Sequence, residues 1–288
     1  MLVNKLSNAS LLNEYQIKIK ELKIRSTIKC IRYKLFFKPC VKLIAKIIKN
    51  NMNNLTNKVA YITGGSKGIG YGIAKTLIDS GMRVAITGRD INAVKQAAES
   101  LSVDASKILA LQSDVSSFDS EAKVVAETIS HFGQLDVIIA NAGVGKFAPI
   151  DQLSLEDWKA TIDTNLTGVF NTVKASIDAL KESKGYIITI ASLAGTNFFE
   201  TAAAYNASKF GLVGFTQAIM LDLRKYNIKV STIMPGSVAS NFNNHTVNDA
   251  DAWKIQPEDI GEIVKGLLTM NPRTLPSKIE VRPSVTNK

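Results

Sequence analysis

The residues in this chain best suited to proton chemistry are Tyr205 and Lys209, four apart in "YNASK" at the start of a long apolar-striped segment. On a helix that spacing puts both side chains on one face. The face continues into Leu212 and Leu223, so the pair is expected to point into the protein rather than into water. A phenol with an ordinary pKa of about 10 is a poor proton exchanger at neutral pH. An ammonium about 4 Å away, at an effective dielectric near 20, contributes about 4 kcal/mol, an upper scale of roughly three pKa units. The expectation is a tyrosine brought close to working pH, where general acid/base catalysis is most effective.

A second constellation is "TGGSKGIG", residues 63–70, lying between an apolar run, "KVAYIT", and a helical-period segment, "YGIAKTLIDSG". Gly64, Gly68 and Gly70 at a strand-to-helix turn allow positive φ and let backbone N–H groups approach a pyrophosphate at the helix N-terminus. Ser66 and Lys67 precede Gly68, whereas a nucleoside-triphosphate loop needs Gly-Lys-Ser/Thr in that order, so kinase and GTPase chemistry is excluded. About 20 residues on, an acid would bind the ribose hydroxyl of NAD(H) and a base the extra phosphate of NADP(H). The second predicted strand ends in Gly88 and Arg89. Arg89 with Lys67 forms a cationic cup, which favours NADP(H); in the competing reading Asp90 takes the ribose and NAD(H) is used.

These residues need a scaffold, and the chain supplies one. From Lys58 on, short apolar runs alternate with longer helical segments: "KVAYIT", "RVAIT", "ILALQS", "LDVIIA", "YIITIA", "KVSTIM" and "KIEVRP". Strands covered on both faces are continuously apolar, and helical crossovers fill spacings of this length. The fold expected is α/β: a doubly wound parallel sheet (Rossmann) of about seven strands in three α/β/α layers. Leu166, Phe170, Val173, Ile177 and Leu180 form one helical stripe and Leu212, Phe215, Ile219 and Leu223 another, both read as core faces. No repeat divides residues 55–288, which read as a single domain.

In this order and placement the motifs resemble the single-domain branch of the short-chain dehydrogenase/reductase family, over about residues 55–283. "TGGSKGIG" corresponds to the family's TGxxxGxG and "YNASK" to its YxxxK. Asp114, "NAG" at 141–143, Asn165, Ser192 and "PGSV" at 235–238 match at the ends of successive strands. The resemblance implies that Ser192 hydrogen-bonds the substrate oxygen, that Lys209 also holds the nicotinamide ribose, and that Asn165 positions a water linking Lys209 to solvent. It places Ser66, Ile69, Asp114, Val115, Asn141, Gly143, Pro235, Gly236 and Val238 beside the cofactor, with Asp114 at the adenine. The implied reaction is hydride transfer between nicotinamide and a carbonyl or secondary alcohol, with Tyr205 exchanging the proton, in a homo-oligomer. The sequence departs from the family at Ala140, where Asn is common before "NAG", and at Ser240, where Thr is common. Its close, "LPSKIEVRPSVTNK", lacks the glycine-rich end of 3-oxoacyl-carrier-protein reductases, which weakens assignment to fatty-acid metabolism. A non-catalytic dinucleotide sensor on the same fold is the other class of function; its usual sign, loss of the tyrosine or lysine, is absent.

The formal charge of +10 belongs to one end of the chain. Residues 1–50 hold 12 Lys/Arg and 2 Asp/Glu, and the remainder is balanced at 23 of each, so no nucleic-acid footprint lies on the body. The boundary falls at the Asn-rich "NNMNNLTNK", giving a basic extension, 1–54, and the domain, 55–288. Lys42, Lys46 and Lys49 against Val41, Ile44, Ala45, Ile47 and Ile48 describe a helix suited to an anionic membrane surface, too interrupted to span one. The competing reading starts translation at Met52 and leaves 237 residues. Neither a secretory signal nor a transit peptide is recognisable. Both cysteines, Cys30 and Cys40, lie in the extension, so a cytoplasmic, reducing compartment is expected. His131 and His245 lack partners for a metal site, and Ser192 has no nucleophile elbow and His245 no recognisable supporting acid, which excludes a serine hydrolase. Phe147, Phe198 and Phe199 are candidates for an apolar substrate pocket, with residues 238–256, including Phe242 and Trp253, as a lid.

Overall fold

The computed structural model describes residues 55–102 and 104–286, together with Lys18 and Lys20, which are helical and exposed. The start at Met52 and the membrane-surface helix concern residues outside these. Seven strands form one parallel sheet: β1 (Val59–Ile62), β2 (Arg83–Gly88), β3 (Ile108–Gln112), β4 (Val137–Ala140), β5 (Tyr186–Ile190), β6 (Lys229–Pro235) and β7 (Lys278–Val281). Their order is β3-β2-β1-β4-β5-β6-β7, with β1 inside the sheet: Ala60 is in register with Val84 on one side and Val137 on the other. The order reverses between β1 and β4, and in such a sheet the crevice beyond the carboxyl ends of these strands is the natural ligand site.

Every residue of β1, β4 and β5 is buried, as strands covered on both faces must be. Alternate side chains feed two cores. Ala60 and Ile62 pack with helices α1 (Gly68–Asp79), α2 (Ile91–Leu101) and α7 (Pro257–Thr269). Val59 and Tyr61 pack with α3 (Phe118–Phe132), α5 (Gly168–Ser183) and α6 (Ala203–Leu223). A shorter helix, α4 (Leu155–Ile162), leads into α5 through a π turn, Asp163–Thr167. The edge strand β7 departs from the continuous pattern, with Lys278 and Glu280 exposed and Ile279 and Val281 half-buried on the α1 side. No helix among the described residues is long and apolar enough to cross a membrane.

The stripe expected to bury Phe170 is corrected here. The face that α5 buries runs through Val169, Thr172, Val173, Ser176 and Leu180. Phe170 lies beside it, 48% exposed, with its ring edge-on to Phe215 at 6.4 Å. The small hydroxyl residues on the buried face let α5 sit close to its neighbours, and the large ring is turned outward.

Candidate functional site

The glycine turn after β1 is tied to the end of β4. Thr63 Oγ1 accepts from the amides of Asn141 and Ala142, both at 3.0 Å, and the Asn141 carboxamide donates to the carbonyls of Thr63 and Gly64 at 2.9 and 3.1 Å. Gly64 and Gly68 have φ of +65° and +57°, the left-handed region that glycine occupies without strain. Lys67, in extended conformation, precedes α1 without capping its amides, and the first turn carries no acid. The 12-residue helix therefore presents its free N–H groups and positive end at the loop. These features fit a dinucleotide pyrophosphate. Ser66 and Ile69 flank the turn half-buried, and Lys67 and Arg89 are exposed.

The hydrogen bonds at the end of β2 bear on the two cofactor readings. Asp90 is the N-cap of α2, and its Oδ1 accepts from the amides of Asn92 and Ala93 at 2.9 and 3.3 Å. A carboxylate committed to a helix cap is poorly placed to turn toward a ribose. Asp114 is exposed after β3 and accepts from the amide and hydroxyl of Ser116 at 3.0 and 2.7 Å. Val115 is buried, and its carbonyl accepts from the Asn171 carboxamide at 2.8 Å.

Across the crevice, Ser192 stands just beyond β5 and Tyr205 and Lys209 lie in the first two turns of α6. The polar letters inside "YNASK" set their spacing. Asn206 donates to the carbonyls of Ala194 and Asn197, both at 2.7 Å, pinning the post-β5 loop onto α6. Ser208 donates to the Tyr205 carbonyl at 2.8 Å and accepts from the Asn165 carboxamide at 3.0 Å. Asn165 is wholly buried in the π turn, and its side chain also clasps both the amide and the carbonyl of Val144, at 2.8 and 2.9 Å. A Cβ placed on Gly143 would lie 3.3 Å from Asn165 Oδ1 and 3.7 Å from Lys209 Nζ, so these three positions surround one point. Pro235 ends β6, Gly236 is held by Val281 at 2.8 Å, and Val238 pairs with Ile255 beside the same crevice.

The expected ammonium contact is replaced by a different balance. Lys209 Nζ is buried, donates to the Ile190 carbonyl at 3.0 Å, and stands 5.7 Å from the centre of the Tyr205 ring. Burial draws this amine down to about 8. Burial also pushes the Tyr205 phenol up, with the Ser192 hydroxyl pulling it part of the way back. Desolvation outweighs attraction here, where both groups are buried and the amine is itself anchored to strand β5.

Aromatic rings wall the space beside Tyr205. Phe147 approaches its ring edge-on at 5.4 Å, Phe242 lies tilted to it at 5.7 Å, and Phe199 lies 5.9 Å from Phe147. Phe198 takes no part, stacking instead on Phe210 at 4.9 Å. His245, read from the sequence as lacking an acid, pairs with Asp251 at 2.6 Å, and Asp251 also binds Lys254 at 2.6 Å. Burial cannot raise this carboxyl against three donors; Lys254, His245 and the Asn248 amide hold it well below the usual range. The pair braces the 245–256 segment and leaves the hydrolase exclusion unchanged.

One buried group escaped the sequence reading. Glu121, fully buried in α3, accepts from the Tyr61 phenol at 3.0 Å, from Ser113 at 2.6 Å and from Thr172 at 2.7 Å. A signal for it exists: Glu121 falls in phase with Val124, Val125, Thr128 and Phe132, the buried stripe of its helix.

Comparison with known proteins bears on the fold and the family. The short chain dehydrogenase family matches residues 58–251. An uncharacterized oxidoreductase of Staphylococcus aureus is 32% identical over 233 residues, covering 81% of this chain and 100% of its own length. A metagenomic short-chain oxidoreductase solved with NADP is 32% identical with a TM-score of 0.71, over 81% of this chain and 100% of its own. An alcohol dehydrogenase from the archaeon Thermococcus sibiricus, complexed with 5-hydroxy-NADP, has a TM-score of 0.75 at 26% identity, covering 80% of this chain and 98% of its own. With the family match running from the first strand to beyond the sixth, and relatives aligned over their whole length, the chain belongs to the short-chain dehydrogenase/reductase family of oxidoreductases.

Proposed function

We propose that residues 55–288 form an NADPH-dependent reductase of a small-molecule carbonyl substrate. The observation that carries this reading is the meeting of the Ser192 hydroxyl, the Tyr205 phenol and the buried Lys209 amine across the crevice from an uncapped glycine-turn helix. NADPH, when bound, supplies the hydride. The chain's own residues hold and protonate the substrate: Ser192 donates a hydrogen bond to the carbonyl oxygen, and Tyr205 delivers the proton that oxygen needs as it becomes an alcohol. Lys209 carries positive charge near the phenol and, in the same reading, holds the nicotinamide ribose. Asn165 keeps the π turn and the Val144 strap in place around it. The turn around Gly64, Gly68 and Gly70 receives the pyrophosphate, with Asn141 and Gly143 next to it. Asp114 and Val115 flank the adenine, and Pro235, Gly236 and Val238 flank the carboxamide.

The preference for NADP(H) rests on Arg89 and Lys67 being exposed while Asp90 caps α2. A charged hydrogen bond contributes about 1.5–3 kcal/mol, so Arg89→Ala is expected to lower kcat/KM with NADPH about 30-fold while leaving that with NADH within about threefold. Equal losses with both cofactors, measured against one carbonyl substrate, rule the Arg89 assignment out.

Lys209 supplies a pH dependence. Its amine is drawn down to about 8, so it carries charge at neutral pH and loses it as pH rises past that value. The kcat/KM for reduction is expected to bend downward above about pH 8, and the bend is expected to vanish in Lys209→Arg, whose charge is permanent. A bend retained in that variant assigns it to another group. The reading as a whole is tested by following NADPH oxidation across a library of ketones and aldehydes; binding of NADPH without turnover of any of them favours the sensor instead.

A further inference from the structure

We infer that the substrate carries an aromatic ring attached at its carbonyl carbon, an aryl ketone in the reductive direction or a benzylic alcohol in reverse. This rests on the reductase reading above and names the substrate class for the same site. Phenylalanines from three separate connections converge beside Tyr205: Phe147 after β4 and Phe242 after β6 reach its ring, and Phe199 after β5 reaches Phe147. Such convergence does not come from helical or strand periodicity. Phe199 and Phe242 keep 51% and 39% of their surface exposed, so the rings do not merely fill a core. Gly145 is required beneath them, since a Cβ there would lie 2.6 Å from Phe242 Cζ and 2.8 Å from Phe147 Cε2. Lys146, the charge beside this wall, is tied to Asp157 at 3.3 Å.

The orientation of the rings distinguishes an aromatic guest from an alkyl one. Phe147 meets Tyr205 at 61° and Phe242 at 72°, so the wall offers both ring edges and ring faces. A planar π system matches edges and faces together, whereas a saturated ring of equal bulk gains only the burial of its area. Because Phe147 and Phe242 touch the phenol ring itself, a guest ring against them lies next to the reacting carbonyl.

The test compares acetophenone with methyl cyclohexyl ketone, of nearly equal size, and with methyl hexyl ketone and acetoacetyl coenzyme A. Conjugation makes an aryl ketone intrinsically less electrophilic, so a preference for it must come from the protein. Each edge-to-face contact contributes about 2- to 12-fold beyond area, and kcat/KM for acetophenone is expected to exceed that for methyl cyclohexyl ketone about tenfold. In Phe147→Leu and in Phe242→Leu this ratio is expected to fall at least threefold; being a ratio, it does not depend on the fraction of folded protein. Turnover that is lost in Tyr205→Phe but shows no aryl preference, or that favours the coenzyme A thioester, overturns the inference and leaves the reductase standing. A ratio unmoved in both leucine variants also overturns it. Absence of turnover with all four compounds overturns both.

Discussion

Tyr205→Phe is expected to lower carbonyl reduction about a thousandfold while leaving NADPH affinity within about threefold. Proton transfer by a positioned side chain contributes about 100- to 10,000-fold, and the variant removes one oxygen while retaining the ring that Phe147 and Phe242 pack against. The raised proton affinity of the buried phenol gives the effect a direction. A tyrosine that holds its proton at neutral pH is ready to give it to a developing alkoxide and reluctant to take one from an alcohol. Reduction is therefore expected to proceed at neutral pH, and oxidation of the corresponding alcohol to require alkaline conditions. Steady-state rates with NADPH titrated by fluorescence separate the two quantities; a phenylalanine variant that keeps more than a tenth of parental turnover removes Tyr205 from the chemistry.

The second large effect lies behind the sheet. Glu121→Ala is expected to lower Tm by about 10 °C. The substitution leaves a cavity and strips the Tyr61 phenol of the carboxylate it binds through both oxygens at 3.0 Å. Thr172 and Ser113 fare better, since each has a second partner, the Gly168 carbonyl at 2.9 Å and Ser120 at 3.0 Å. One orphaned donor plus a cavity amounts to about 3 kcal/mol, and for a domain of this size each kcal/mol moves Tm by about 2–4 °C. Replacing both partners, Tyr61→Phe with Glu121→Leu, is expected to return more than half of the loss, because an apolar pair needs no hydrogen bond. Calorimetry on the three variants decides it; a Glu121→Ala Tm within about 2 °C of the parent refutes the role given to this network.

The same carboxyl has a pH signature. Desolvation raises Glu121 from its ordinary 4.5, with Ser113, Thr172 and Tyr61 opposing. A folded-state value above the unfolded one means that folding favours the protonated form. Its contribution is fullest below 4.5 and is lost as pH rises through the higher folded value. The parent should gain stability relative to Glu121→Gln as pH falls toward that range.

Much of the scaffold was readable in the chain because a doubly wound sheet writes itself as apolar runs separated by helical periods. All seven runs became strands. Motif order located the crevice, since the glycine turn, Ser192 and Tyr205 each follow a strand in sequence. What spacing could not convey was distance across the fold. Lys209 is one turn from Tyr205, yet its amine ends on a carbonyl of β5, nineteen positions earlier in the chain, and this alters the proton balance. Phe198 and Phe199 look alike in sequence and part company in space, one stacking on Phe210 and the other facing Phe147. Glu121 and Phe170 illustrate the opposite errors of a hydrophobic reading: a charge drawn inward by three hydroxyls, and a ring turned outward because smaller residues fit better beneath it.

The bond from Lys209 to Ile190 has a further consequence. A free lysine side chain samples many rotamers, and fixing one costs up to about 2 kcal/mol in entropy. Here that ordering is completed during folding, against the rigid tip of a central strand. In the proposed reductase, each arriving pair of reactants would meet an ammonium already in position, and the motional cost would not be repeated from one turnover to the next.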